Sequence, residues 1–108
     1  MKMVQAMIRP EKEQEVIASL EKSGIFSFTR QSVFGRGRQR GIQVGSIRYT
    51  EIAKVWLMVV VEEDEANRAI DAIKIAARTG NPGDGKIFVT SLSDVKMIRG
   101  SSVPQGQT

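Results

Sequence analysis

The sequence predicts an α+β fold, a ferredoxin-like βαββαβ sandwich with a long loop between its second and third strands. Three observations predict it. Strand-like and helix-like segments follow one another in the order β-α-β, loop, β-α-β. The apolar run from Val55 to Val61 has the length and β-branched content of a well-covered strand. Both helix-like segments carry acids at their start, where the helix dipole is positive, and a glycine beyond their end.

Lys2 to Ile8 reads as the first strand, with Val4, Ala6 and Ile8 on one face. Pro10 opens the first helix, where its missing N–H costs nothing, and Glu11, Glu13 and Glu15 follow. Val16, Ile17 and Leu20 form its apolar stripe and Gly24 stops it. Ile25 to Phe34 is expected to be the second strand. Lys54 to Val61 is the third, and its unbroken apolar character suits a central strand covered on both faces or a barrel interior. Glu62 to Glu65 begin the second helix; Ala66, Ala69, Ile70, Ile73 and Ala77 keep its spacing, with Arg78 in the last turn and Gly80 as cap. Lys86 to Thr90 is a fourth strand, and Val95 to Ile98 is read as a short extra one. The polar tail 100–108 is expected to be disordered, leaving residues 1–99 as one domain.

The 108 residues hold no cysteine and no histidine. That excludes disulfides, thiolate or imidazole metal sites and the commonest nucleophile–base pairs, so no enzyme is expected. No apolar run reaches the about 18 residues that cross a bilayer. With no signal-peptide pattern at the start, a cytoplasmic protein is expected, without membrane insertion.

The net charge of +4 is uneven. Between Arg30 and Lys54 six basic residues face the single acid Glu51, so this stretch carries +5 and the rest of the chain −1. Such a cluster serves either as a solvated surface or as an anion site. It coincides with the connection 35–53, far longer than the ~2–5 residues of a hairpin loop. Within it, Gly35 to Gly41 alternates glycine, which lets a ligand approach the backbone, with arginine, which offers a forked donor. One such tract, with only Phe34 and Tyr49 nearby for stacking, does not make nucleic acid the expected partner. A second glycine-rich segment, Thr79-Gly80-Asn81-Pro82-Gly83-Asp84-Gly85-Lys86, leads from a helix into a strand. It reads either as a helix cap with a turn or as a phosphate cradle of N–H groups and one cation. The order is not that of a P-loop.

Taken together, the two segments closely resemble the PII family of nitrogen-signalling proteins. Thr79 through Val89 is similar to the family's C-terminal signature along its whole length, and Phe34 through Gly41 to the base of its long T-loop, here 35–53. The resemblance runs from Met1 to about Arg99. It implies a trimer with nucleotide sites in clefts between neighbouring subunits. It also implies binding of ATP or ADP, and of 2-oxoglutarate through a magnesium ion held by ATP.

Carried over by position, Gln39 resembles the glutamine that coordinates magnesium. Gln39, Arg40, Gly41 and Lys54 match the 2-oxoglutarate contacts, Lys54 pairing with the distal carboxylate. Gly37 and Arg38 match residues near the phosphates, and Thr29 and Val60 match adenine contacts. Gly83, Asp84, Gly85 and Lys86 match the nucleotide-phosphate loop at 79–86. Arg99 matches one of two arginines that reach phosphates from the neighbouring subunit; the other is Met97 here, and a glutamate usual in the adenine pocket is Met58. No tyrosine stands where some members are uridylylated, for Tyr49 lies nearer the strand, and Ser46 does not match the serine phosphorylated in others.

The run Val33 through Gly45 looks most like the nitrogenase-associated NifI subgroup, and like the first member of its pair. That implies a nitrogen-status signalling protein that binds dinitrogenase and inhibits it, 2-oxoglutarate with ATP relieving the inhibition. It also implies either a homotrimer or a hetero-oligomer with a paralogue. The alternative from the wider family is a sensor acting on glutamine synthetase or an ammonium transporter.

Overall fold

A computed structural model describes residues 1–36, 42–44, 47–49 and 51–100. Strand β1 (Lys2–Ile8) is followed by a 3-10 turn at Pro10–Lys12 and helix α1 (Glu13–Lys22). Strand β2 (Thr29–Gly35) leads into the long connection, which contains a two-stranded ribbon, β3 (Ile42–Val44) with β4 (Ile47–Tyr49). Strand β5 (Ile52–Val61), a 3-10 turn at Glu63–Glu65, helix α2 (Ala66–Ala77) and strand β6 (Gly85–Ser91) complete the order. The main sheet runs β2-β5-β1-β6 with every pairing antiparallel, which is the expected ferredoxin-like arrangement.

Period-two burial shows where the core sits. Val4, Ala6 and Ile8 of β1 and Val55, Leu57, Val59 and Val61 of β5 are buried toward the helices. They meet Val16 and Leu20 of α1 and Ala69, Ala72 and Ile73 of α2. Each fully buried valine, leucine or isoleucine contributes about 1.5–3 kcal/mol. The alanines let α2 lie close, and Ser19 Oγ ties the helices by donating to the Ala72 carbonyl at 2.8 Å.

The opposite sheet face is only partly covered. Trp56, Met58 and Val60 alternate with the buried residues of β5 and are half-buried, and Phe88 is half-exposed. The expected two-sided cover is therefore one-sided within the single chain, because both helices lie on the same face.

Several boundaries differ from the sequence reading, each for a local reason. Ile25 belongs to the end of α1 and not to the second strand. Its N–H donates to the Leu20 carbonyl and that of Gly24 (φ +82°) to Glu21, both at 2.9 Å. This is a Schellman cap, and the Ile25 side chain buries beside Leu20. At the end of α2, Arg78 is already extended (φ −73°, ψ 131°), so it lies outside the last turn and Gly80 (φ +89°) shapes the following loop instead of capping. The connection 35–53 is shortened from both sides, since β2 reaches Gly35, paired with Ile52 of β5. Val95–Ile98 forms no strand beyond one bridging residue, Lys96. The acids expected to begin the second helix form the 3-10 turn before α2, where Glu62 and Glu65 close a capping box, with Glu65 Oε1 3.1 Å from the Glu62 N–H.

Candidate functional site

Antiparallel pairing brings the two glycine-rich segments to the same end of the sheet. Gly35 pairs with Ile52 and Val33 with Lys54, while Gly85 pairs with Ile8. Between them lies a cleft of about 630 Å³. Gly35, Arg36, Ile52 and Lys54 line one side; Pro82, Gly83, Gly85 and Lys86 line the other. Three cations, Arg36, Lys54 and Lys86, thus face one space.

Lys54 Nζ donates to the Gly83 carbonyl at 2.5 Å, bridging the two sides. Its pKa is lowered, first by burial and then by the nearby charge of Arg9; Glu11 and Asp84 oppose the shift. A partly desolvated ammonium that spends one donor on a neutral carbonyl is well suited to accept an anion in its place.

Asp84 organises the loop between α2 and β6. Its Oδ2 accepts the N–H groups of Thr79 and Gly80, both at 2.9 Å. Its Oδ1 accepts the Thr79 hydroxyl at 2.5 Å and Arg9 Nε at 3.2 Å. The Thr79 hydroxyl, ahead of its backbone N–H, holds the Asp84 carboxyl well below the usual carboxylate range, against a smaller opposing effect of burial. Arg9 Nη2 also donates to the Pro82 carbonyl at 2.9 Å. Gly85 (φ +112°) has to be glycine, because a Cβ there would run into the Met7 carbonyl.

Of the residues singled out from sequence, Lys54, Gly83, Gly85 and Lys86 come together in this cleft, with Asp84 beside them. Thr29 and Val60 lie further along the sheet, opposite Met58 and Met3, and do not line it. Arg99 sits in a turn closed by the Gly100 N–H on the Met97 carbonyl (3.0 Å). Gly37, Arg38, Gln39, Arg40 and Gly41 lie outside the described residues, as does the tail from 101. Among the described residues, no group of three or more acidic side chains could hold a metal ion and no helix is long and apolar enough to cross a membrane.

Sequence reasoning passed over Arg9 and left Arg36 without a role. A signal for Arg9 existed: once β1 and β6 pair with Ile8 opposite Gly85, the flanking Arg9 and Asp84 are neighbours of opposite charge.

A smaller, mainly apolar cleft of about 430 Å³ lies between α2 and β6, lined by Ile73, Ala77, Ile87 and Val89. Lys74, Arg78 and Lys86 stand among its polar residues.

Residues 1–102 match the family model described as nitrogen regulatory protein P-II. The chain is similar to the nitrogen fixation nifHD1 region GlnB-like protein 1 of Methanosarcina barkeri, 48% identical over 92% of this chain and 94% of that one. It is 44% identical, over the same shares, to the nifHD region glnB-like protein 1 of Methanococcus maripaludis. Among solved structures it is similar to Arabidopsis thaliana PII bound to citrate, with 37% identity, a TM-score of 0.74, and cover of 91% of this chain and 80% of that chain.

Proposed function

The chain belongs to the nitrogen regulatory P-II family, a family of signalling proteins, and on that premise we propose that it senses ATP or ADP together with 2-oxoglutarate and controls nitrogenase by binding dinitrogenase directly. The observation that carries this reading is the cleft in which Lys54 meets the Gly83–Lys86 loop. Its volume and its three cations suit a polyanion.

Gly83, Gly85 and Lys86 receive the phosphates, together with Gly37 and Arg38. Bound ATP and magnesium supply the charge and the metal on which a 2-oxo acid docks. Following the resemblance, Gln39 and the nucleotide phosphates would hold the magnesium. Lys54 turns from the Gly83 carbonyl to the distal carboxylate of 2-oxoglutarate, and Gln39, Arg40 and Gly41 close over the other end. The base of the 35–53 loop then folds inward and withdraws its tip from the target, which relieves the inhibition. Moving such an equilibrium from 1:99 to 99:1 takes about 5.5 kcal/mol of differential binding. Charge-assisted hydrogen bonds at about 1.5–3 kcal/mol each can provide much of it.

The half-covered sheet face with Trp56, Met58 and Phe88 supports assembly through this surface, as a homotrimer or with a paralogue. In such an assembly Arg99 of one subunit reaches the nucleotide phosphates of the next, and Thr29 and Val60 contact the adenine. The protein works in the cytoplasm, without nucleic acid and without inserting in a membrane.

Calorimetry tests the ligand half: 2-oxoglutarate binds when ATP and magnesium are present and not when either is omitted. Equal binding without nucleotide overturns the mechanism. Co-purification from a nitrogen-fixing host tests the target. Dinitrogenase is captured without 2-oxoglutarate and released with it, whereas capture of glutamine synthetase or an ammonium transporter instead assigns the chain to general nitrogen sensing.

A further inference from the structure

Asp84 stands in the middle of the proposed phosphate-binding loop, yet a carboxylate is an unfavourable neighbour for a phosphate. Its hydrogen bonds resolve the conflict. An ionised carboxylate offers about four acceptor sites, and here four donors occupy them: the Thr79 hydroxyl and Arg9 Nε on Oδ1, and the Thr79 and Gly80 N–H groups on Oδ2. The Thr79 hydroxyl also accepts the Asn81 N–H at 3.1 Å, so one side chain pair fixes Thr79, Gly80 and Asn81 at once.

The next two residues are held by their carbonyls, Pro82 by Arg9 and Gly83 by Lys54. Every residue from Thr79 to Asp84 is therefore tied by a side chain, although the segment lies between two elements and belongs to neither. The N–H groups of Gly83 and Asp84 take no part in these ties. A loop fixed in this way presents backbone donors to an anion without paying to order them at the moment of binding.

We propose that Thr79 and Asp84 form a clasp that positions the loop for a nucleotide phosphate, Asp84 acting through Thr79 and Gly80 and not by touching the ligand. The proposal rests on the nucleotide reading above and assigns the loop's preorganisation to a specific pair. It predicts coupling between the two side chains, which a direct contact from Asp84 to the ligand does not.

The test is calorimetry of MgADP binding to the full-length chain and to Asp84→Asn, Thr79→Val, the double variant and Thr79→Ser, with circular dichroism confirming that each is folded. Asp84→Asn and Thr79→Val each weaken binding about tenfold, as expected when a charge-assisted hydrogen-bond set is broken. The double variant is no weaker than the worse single one, because both remove the same clasp. Thr79→Ser, which keeps the hydroxyl, stays within about twofold of the parent.

A loss in Asp84→Asn with Thr79→Val unaffected, or losses that simply multiply in the double variant, overturns the positioning role. So do unchanged affinities in all four. Failure of the parent protein to bind MgADP and MgATP alike overturns the nucleotide reading itself, and is thereby distinguished from failure of the clasp alone.

Discussion

The Lys54 ammonium donates to the carbonyl of Gly83, 29 residues further along the chain, and so joins the foot of the long connection to the glycine-rich loop. Either segment alone reads as an ordinary turn; the hydrogen bond makes them two walls of one cleft.

Replacing Lys54 with alanine should separate the two ligands. The variant is expected to lose about tenfold or more in 2-oxoglutarate affinity while ATP stays within about threefold, since the lost bond is a charge-assisted one to the diacid. Calorimetry in the presence of saturating MgATP checks it, and equal losses for both ligands would remove Lys54 from its assigned role.

Asp84 also sets an acid dependence. Its folded pKa lies below the ordinary 3.8, so its contribution to stability is complete above that value and is lost as pH falls through the lowered folded one. Parent and Asp84→Asn should therefore differ in Tm at pH 7, and the gap should close in strong acid. A gap that widens on acidification would contradict the assignment.

Gly85→Ala is expected to fail for reasons of backbone alone. At φ +112° an alanine is strained by about 1–3 kcal/mol, and its Cβ meets the Met7 carbonyl besides. Urea denaturation should show a loss at or above the top of that range, with amide exchange quickening first at the Ile8–Gly85 end of the β1–β6 ladder.

Arg30 reaches from β2 to Glu13 at the start of α1, with Nη1 2.7 Å from Oε2. That oxygen is buried and has the ion pair in place of a hydrogen bond. Arg30→Ala should cost about 1 kcal/mol, a modest figure because the arginine is itself half-exposed. Thermal unfolding at low and high salt checks it: the difference between parent and variant narrows as salt rises.

The core positions were legible in the sequence because burial follows simple periods. Val4, Ala6 and Ile8 alternate as a strand requires, and Ala69, Ile73 and Ala77 repeat as a helix requires. Ile25 departs from the strand expectation because a β-branched residue after a glycine resembles the start of a strand, whereas its N–H on the Leu20 carbonyl makes it close the helix. Lys54 and the Gly83–Lys86 loop are joined in one site by the family resemblance but not by charge or glycine content alone, since their meeting depends on the strand order β5-β1-β6. The Thr79–Asp84 clasp was hidden for a different reason: local sequence does not reveal whether a loop carboxylate faces a ligand or its own backbone.

Among the described residues the interior contains no buried polar or charged side chain. Among the described residues, the ionisable side chains discussed above are all at least partly exposed, around a core without charged residues. Salt should thus weaken recognition of anions well before it opens the body, and a preparation that has gone deaf to its effectors would still show the secondary structure of a folded chain.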